Sequence, residues 1–144
     1  VRATAAEEGA LGASYLPFEE LLESSDIVSL HLPATAQTRH IMDAAAIARM
    51  PRGSILINTA RGSLVDQAAL VAALRSGHLG GAGLDVFEEE PPRPGDPLLS
   101  LPNVVLTPHV AAGTRDALIA KMDAAFANMV RLTCGERPLH VVEG

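Results

Sequence analysis

Three short stretches of this 144-residue chain set charged or titratable side chains directly behind apolar runs. Arg61 closes Asn58-Thr-Ala-Arg61, behind Ser54-Ile-Leu-Ile57. Asp85 and Glu90 stand in Asp85-Val-Phe-Glu-Glu-Glu90-Pro91, behind Gly81-Ala-Gly-Leu84. His109 ends Thr107-Pro-His109, behind Asn103-Val-Val-Leu106. Each residue type has a part in interconverting a carbonyl and an alcohol. A planar guanidinium grips a carboxylate through two parallel hydrogen bonds and leaves the adjoining carbonyl oriented. Imidazole titrates near neutral pH and gives or takes the alcohol proton. A carboxylate beside it favours the imidazolium form and fixes the tautomer. Taken singly, each also has a plainer reading: Arg61 pinning a loop, Glu88–Glu90 as an acidic surface turn, Asp85 accepting from loop amides, His109 capping or packing. Their order and spacing make the case for a site.

To converge, these residues must stand at one edge of a shared scaffold. Four runs read as strands: Asp26–Leu32, Ser54–Asn58, Gly81–Phe87 and Asn103–Thr107. Their largely apolar character predicts parallel strands covered on both faces. Between them lie helical signatures. Pro17–Glu23 opens on a proline followed by acids. Asp43 caps Ala44–Met50, and Asp66 caps Gln67–Ser76 with Gly77 as its stop. Thr114 opens a long last helix whose stripe of Leu118, Met122, Ala125, Met129 and Leu132 reads as core. Val1–Ala5 is compatible with the end of an earlier strand, and Glu88–Pro102 reads as a long ordered loop. The alternation predicts an α/β fold, part of a Rossmann-type doubly wound parallel sheet in three αβα layers. Such sheets take ligands beyond the carboxyl ends of their strands, where the polar residues fall.

Composition narrows the function. The formal net charge of −6, with eleven scattered cations, argues against a nucleic-acid partner or an acidic membrane surface. No apolar run approaches the roughly 20 residues of a membrane span. The single cysteine, Cys134, has no activating neighbour and fits a reducing, cytoplasmic setting. His31 reads as a strand-end packing residue, and His40, His78 and His140 lack companions at metal spacing, so no metal site is expected.

The blocks Asn58–Asp66, Gly81–Pro91 and Asn103–His109, preceded by Asp26–Pro33 and Thr38-Arg-His40, resemble consecutive signatures of the D-isomer-specific 2-hydroxyacid dehydrogenases. That family includes phosphoglycerate dehydrogenases and glyoxylate/hydroxypyruvate reductases. The resemblance runs from about Pro17 to Pro138. It implies an oxidoreductase that moves hydride between NAD(P)H and a small 2-oxo acid or D-2-hydroxy acid. Arg61 then matches the substrate-binding arginine, His109 the acid/base and Glu90 the histidine's partner. Asp85 matches the acid that bonds the nicotinamide carboxamide. Thr59, Ala60 and Arg61 line the same cofactor edge, Ser29 and Pro33 pass the adenosine side, and Ala111 and Ala112, with His109, approach the nicotinamide.

The family's phosphate-cradling G-x-G-x-x-G is not in the sequence, since Gly81-Ala-Gly83 runs into a strand. The acid that would bond the adenosine ribose is not identifiable, so the cofactor reads as NAD or NADP, with NAD favoured. Residues 1–113 are expected to be a partial dinucleotide-binding domain, and 114–144 a long helix and tail returning toward a substrate domain. A first residue of Val is expected to mark a piece of a larger enzyme, inactive alone and homodimeric when whole. The rival readings are a dinucleotide-sensing corepressor-like binding protein and a catalytically inert fragment.

Overall fold

The computed structural model describes residues 4–141. These fall into two compact units that divide between Pro108 and His109. In the first unit, β1 (Ile27–Leu30), β2 (Ile55–Asn58), β3 (Gly81–Leu84) and β4 (Val104–Leu106) form one sheet in that order, with every neighbouring pair parallel. The elements before and between them are α1 (Ala5–Leu11), α2 (Phe18–Ser24), α3 (Ala44–Arg49) and α4 (Gln67–Arg75). This is the expected α/β, Rossmann-like arrangement, with each strand a residue or more shorter than its apolar run.

The core gathers on one side of the sheet. Val28, Leu30, Leu56, Ala82 and Leu84 are buried together with Leu22 of α2, Ile47 of α3 and Leu70 and Leu74 of α4. Successive strand residues point to opposite faces. The alternate positions therefore stay open: Ile27 is 62% exposed, Ile55 37% and Val105 70%. The expectation of strands covered on both faces is thus corrected, because all the buried helical residues of this core serve a single face.

The caps follow the sequence. The Asp43 carboxylate accepts from Ala46 N–H at 2.8 Å, and Asp66 accepts from Ala68 and Ala69 N–H at 3.0 and 3.1 Å. Gly77 follows α4 at φ +68, a left-handed conformation that glycine takes without a Cβ penalty. The long loop after β3 holds one turn of 3-10 helix, Pro97–Ser100, capped by Asp96. Of the strand end considered for Val1–Ala5, only Thr4 and Ala5 are described, and they open α1. Thr4 and Glu7 form a capping box that opens α1, while Val1–Ala3 lie outside the described residues.

The second unit is built on α5 (Arg115–Thr133), capped by Thr114 Oγ1 accepting from Ala117 N–H. Its tail folds back on it. Asn128 exchanges two hydrogen bonds with the Leu139 backbone, and Arg131 donates to the Arg137 carbonyl and pairs with Glu136. The stripe read as core is not buried. Leu118, Met122, Met129 and Leu132 are 47–60% exposed and no α5 residue is buried, because no described element covers that face. Cys134 caps the helix and is exposed.

Candidate active site at the carboxyl edge of the sheet

The register aligns Leu30 with Asn58, Asn58 with Leu84 and Leu84 with Leu106, so all four strands finish along one edge. The ladder continues one step past it, with Asp85 N–H donating to Asn58 O and Thr107 N–H to Leu84 O, both at 3.0 Å. His31, Thr59, Asp85 and Thr107 are therefore the next residues along the edge. Asp85 is only 3% exposed and accepts from Thr107 Oγ1 at 2.5 Å. Ser29 Oγ and His31 Nε2 share a hydrogen bond of 2.8 Å, and both residues and Pro33 are exposed. His31 thus faces solvent instead of packing.

Behind β2 the chain turns sharply, and Asn58 braces the turn from inside. Its buried amide donates to Arg61 O at 2.9 Å and accepts from Ala60 N–H at 3.1 Å. That brace satisfies the backbone of the loop and delivers Thr59 and Arg61 to the surface. The Arg61 guanidinium is exposed and donates through Nη1 to Ala60 O at 2.6 Å.

The Glu90 turn is folded by its own side chain, whose Oε1 accepts from Phe87 N–H at 3.0 Å. Gly62 is pressed against this turn. A Cβ at Gly62 would overlap the Phe87 carbonyl and the Glu88 amide, so the residue after Arg61 must be glycine for the two turns to lie so close. The sequence brings Arg61 and the Glu90 turn together through that contact.

Two further links went unread in the sequence. Glu88 Oε1 accepts from His40 Nε2 at 2.8 Å and from Arg39 Nη2 at 3.2 Å. The only sequence signal was an acid beside Glu90 and a His beside Arg39, 48 positions apart. Glu89 instead pairs with Arg93, whose guanidinium is held above its ordinary value by that hydrogen bond and charge. A groove of about 440 Å³ next to these residues is lined by Gln67, Glu88, Glu89, Arg93 and Asp96. It includes neither Arg61 nor Asp85 and is set aside as a site.

His109, Ala111 and Ala112 belong to the second unit. His109 has φ +54 and is exposed, as are both alanines, and Ala112 O accepts from Lys121 Nζ at 3.1 Å. Among the described residues there is no cluster of three or more His, Cys, Asp or Glu able to hold a metal ion. His78 Nε2 bonds the Ile47 carbonyl, a structural tie.

A dinucleotide fits the chemistry of this edge. Asp85 is a carboxylate acceptor fixed by Thr107, of the kind an amide N–H requires, and Thr59 stands exposed at the neighbouring strand end.

Residues 1–111 match the family described as D-isomer specific 2-hydroxyacid dehydrogenase, NAD binding domain. The chain is 47% identical over 135 residues to a glyoxylate reductase of Korarchaeum cryptofilum, covering 94% of this chain and 41% of that protein. It therefore spans about two fifths of the length of the curated relatives it matches. A solved D-isomer specific 2-hydroxyacid dehydrogenase from Xanthobacter autotrophicus, in complex with NADPH and MES, is 44% identical with a TM-score of 0.78. The match covers 88% of this chain and 40% of that one. D-lactate dehydrogenase with NAD+ from Lactobacillus jensenii is 32% identical with a TM-score of 0.89, covering 100% of this chain and 47% of that one.

Proposed function

Because the chain belongs to the D-isomer specific 2-hydroxyacid dehydrogenase family through its NAD-binding domain, we propose that it serves an oxidoreductase interconverting a small 2-oxo acid and its D-2-hydroxy acid. The observation that carries this reading is the shared edge: Thr59, Asp85 and the Arg61 turn follow strands that end in register.

When bound, NAD or NADP would exchange hydride with C2, its reduced form giving hydride to the 2-oxo acid and its oxidised form taking it from the 2-hydroxy acid, and we favour NAD. Thr59, Ala60 and Asp85 hold the nicotinamide side, Asp85 accepting from the carboxamide, and Ser29 and Pro33 flank the adenosine side. Ala111 and Ala112 are further nicotinamide neighbours in this reading. Arg61 holds the substrate carboxylate through its planar fork, which keeps the neighbouring C2 carbonyl at a fixed angle. In the reductive direction His109 donates a proton to the carbonyl oxygen, and in the oxidative direction it takes that proton back. Glu90 favours the charged imidazole and so keeps the proton available.

The same reading makes residues 1–113 the dinucleotide-binding portion and 114–144 a helix and tail directed to a substrate domain. It makes the whole protein a cytoplasmic homodimer, in keeping with an exposed free thiol and the open apolar stripe of α5. No helix among the described residues is long and apolar enough to cross a membrane.

The test is a panel of 2-oxo acids, from glyoxylate to longer and branched members, offered to the full-length protein with NADH and with NADPH. Consumption of reduced cofactor with at least one substrate is expected. Dinucleotide binding without turnover on any of them would contradict the reading and favour a sensing role.

A further inference from the structure

The turn carrying Arg61 and the turn carrying Glu90 come from different strands, yet one segment grips both. Residues 38–42 run beside the chain that follows Arg61. His40 N–H donates to Ser63 O at 2.9 Å, Met42 N–H to Leu64 O at 3.0 Å, and Asp66 N–H returns to Met42 O at 3.1 Å. Met42 and Val65 form a single parallel bridge, and Met42 is fully buried. From this anchored segment two side chains reach the other turn, His40 Nε2 and Arg39 Nη2 both donating to Glu88 Oε1. Glu88 stands two residues before Glu90, inside the turn that Glu90 closes on Phe87 N–H. The third contact is the one at Gly62, against the Phe87–Glu88 peptide.

His40 makes this reach from φ +50, in the left-handed region. Side chains seldom occupy that region, though His tolerates it better than most. The backbone conformation is held by bonds on either side, His40 N–H to Ser63 and Ile41 N–H to Thr38 O at 3.1 Å, while the ring is spent on Glu88. His40 and Glu88 are each about one-third exposed, so their ion pair adds little to stability, and its consequence is geometric.

We propose that His40 and Glu88 are positioning residues that fix the spacing between the Arg61 turn and the Glu90 turn. The proposal rests on the reading of Arg61 and Glu90 as substrate-binding and histidine-orienting residues. Neither His40 nor Glu88 touches substrate in this account. They act by keeping the Gly62 contact closed, so that the arginine fork and the carboxylate keep one separation. Small displacements of such groups cost large factors in rate.

The experiment uses Glu88→Ala, Glu88→Gln, His40→Asn and the Glu88→Ala/His40→Asn pair in the full-length enzyme. Asn keeps the left-handed backbone accessible but is too short to reach Glu88, and Gln keeps the acceptor oxygen. Glu88→Ala and His40→Asn should each lower kcat/KM for the 2-oxo acid by roughly tenfold or more, with the dinucleotide KM within about twofold of wild type. Glu88→Gln should recover most of that loss. The pair should be no worse than either single change, as expected of one shared interaction. Additive losses, equal losses in dinucleotide KM, or unchanged kinetics in an active enzyme would overturn the proposal.

A second readout does not depend on turnover. In the isotope-labelled full-length protein, His40→Asn should displace the amide resonances of Gly62 and Phe87, far away in sequence. If it does so while the wild-type full-length protein reduces no 2-oxo acid, the functional reading fails and the coupling of the two turns stands. If only resonances around residue 40 move, the coupling is overturned whatever the enzyme does.

Discussion

Arg61 carries five N–H donors, and the bond from Nη1 to Ala60 O occupies one of them. The rest of the fork can meet a carboxylate because the Asn58 brace, not the guanidinium, holds the turn in shape. Asp85 is the converse case, a carboxylate buried and fixed by a neighbouring hydroxyl. A reading of single residues could see their types but not these ties. Arg61, Asp85 and Glu90 stood out because each follows an apolar run. His40 and Glu88 did not, since nothing in either local pattern announces a bond across 48 positions. Glu7 went equally unread, although its ties are local ones. The Thr4 amide first, and then its hydroxyl, hold the Glu7 carboxyl below its ordinary value of 4.5. A carboxylate with a depressed folded pKa stabilises above its unfolded value, and that contribution is lost as pH falls through the folded one. Carbon-detected titration of Glu7 should therefore give a midpoint below the ordinary value of 4.5, and Thr4→Ala should raise it. An unchanged midpoint in Thr4→Ala would show that the Thr4 hydroxyl does not bond Glu7 in solution.

Helices and strands were legible wherever their signals were local. Asp43, Asp66 and Thr114 each cap the helix expected of them, because an N-cap needs only a short acceptor and the next three amides. Replacing Asp66 with Ala leaves the Ala68 and Ala69 amides without that acceptor and should cost about 1 kcal/mol in urea unfolding. A loss near zero would mean that solvent serves those amides equally well. The strands were found by their apolar runs but drawn too long. Asp85 and Thr107 each keep one ladder bond past the named strand while their side chains bond to each other. Helix α1 was missed, although Thr4-x-x-Glu7 is a capping-box spacing, because the segment is short and Leu11 is its one large apolar residue. What no element disclosed alone was the choice of one covered face. An apolar strand residue reads the same whether a helix lies over it or not.

At the scale of the whole molecule, the chain leaves apolar surface of two kinds in view. One is the open sheet positions Ile27, Ile55 and Val105, and the other is the α5 stripe from Leu118 to Leu132. Both patterns predicted burial, and periodicity was right about which residues share a face but silent about what meets it. The proposed chemistry gives substrate and cofactor contacts to Arg61 and Asp85 and the proton transfer to His109, which Glu90 supports. Its central claim is that His109 carries the proton while hydride moves at C2. The most direct measurement is therefore kcat, beside the dinucleotide dissociation constant, for His109→Ala in the full-length enzyme with its best 2-oxo acid. kcat should fall by roughly 10²–10⁴-fold, the range for removing a general acid/base, while dinucleotide affinity stays close to wild type. A His109→Ala enzyme that kept near-normal kcat would contradict it.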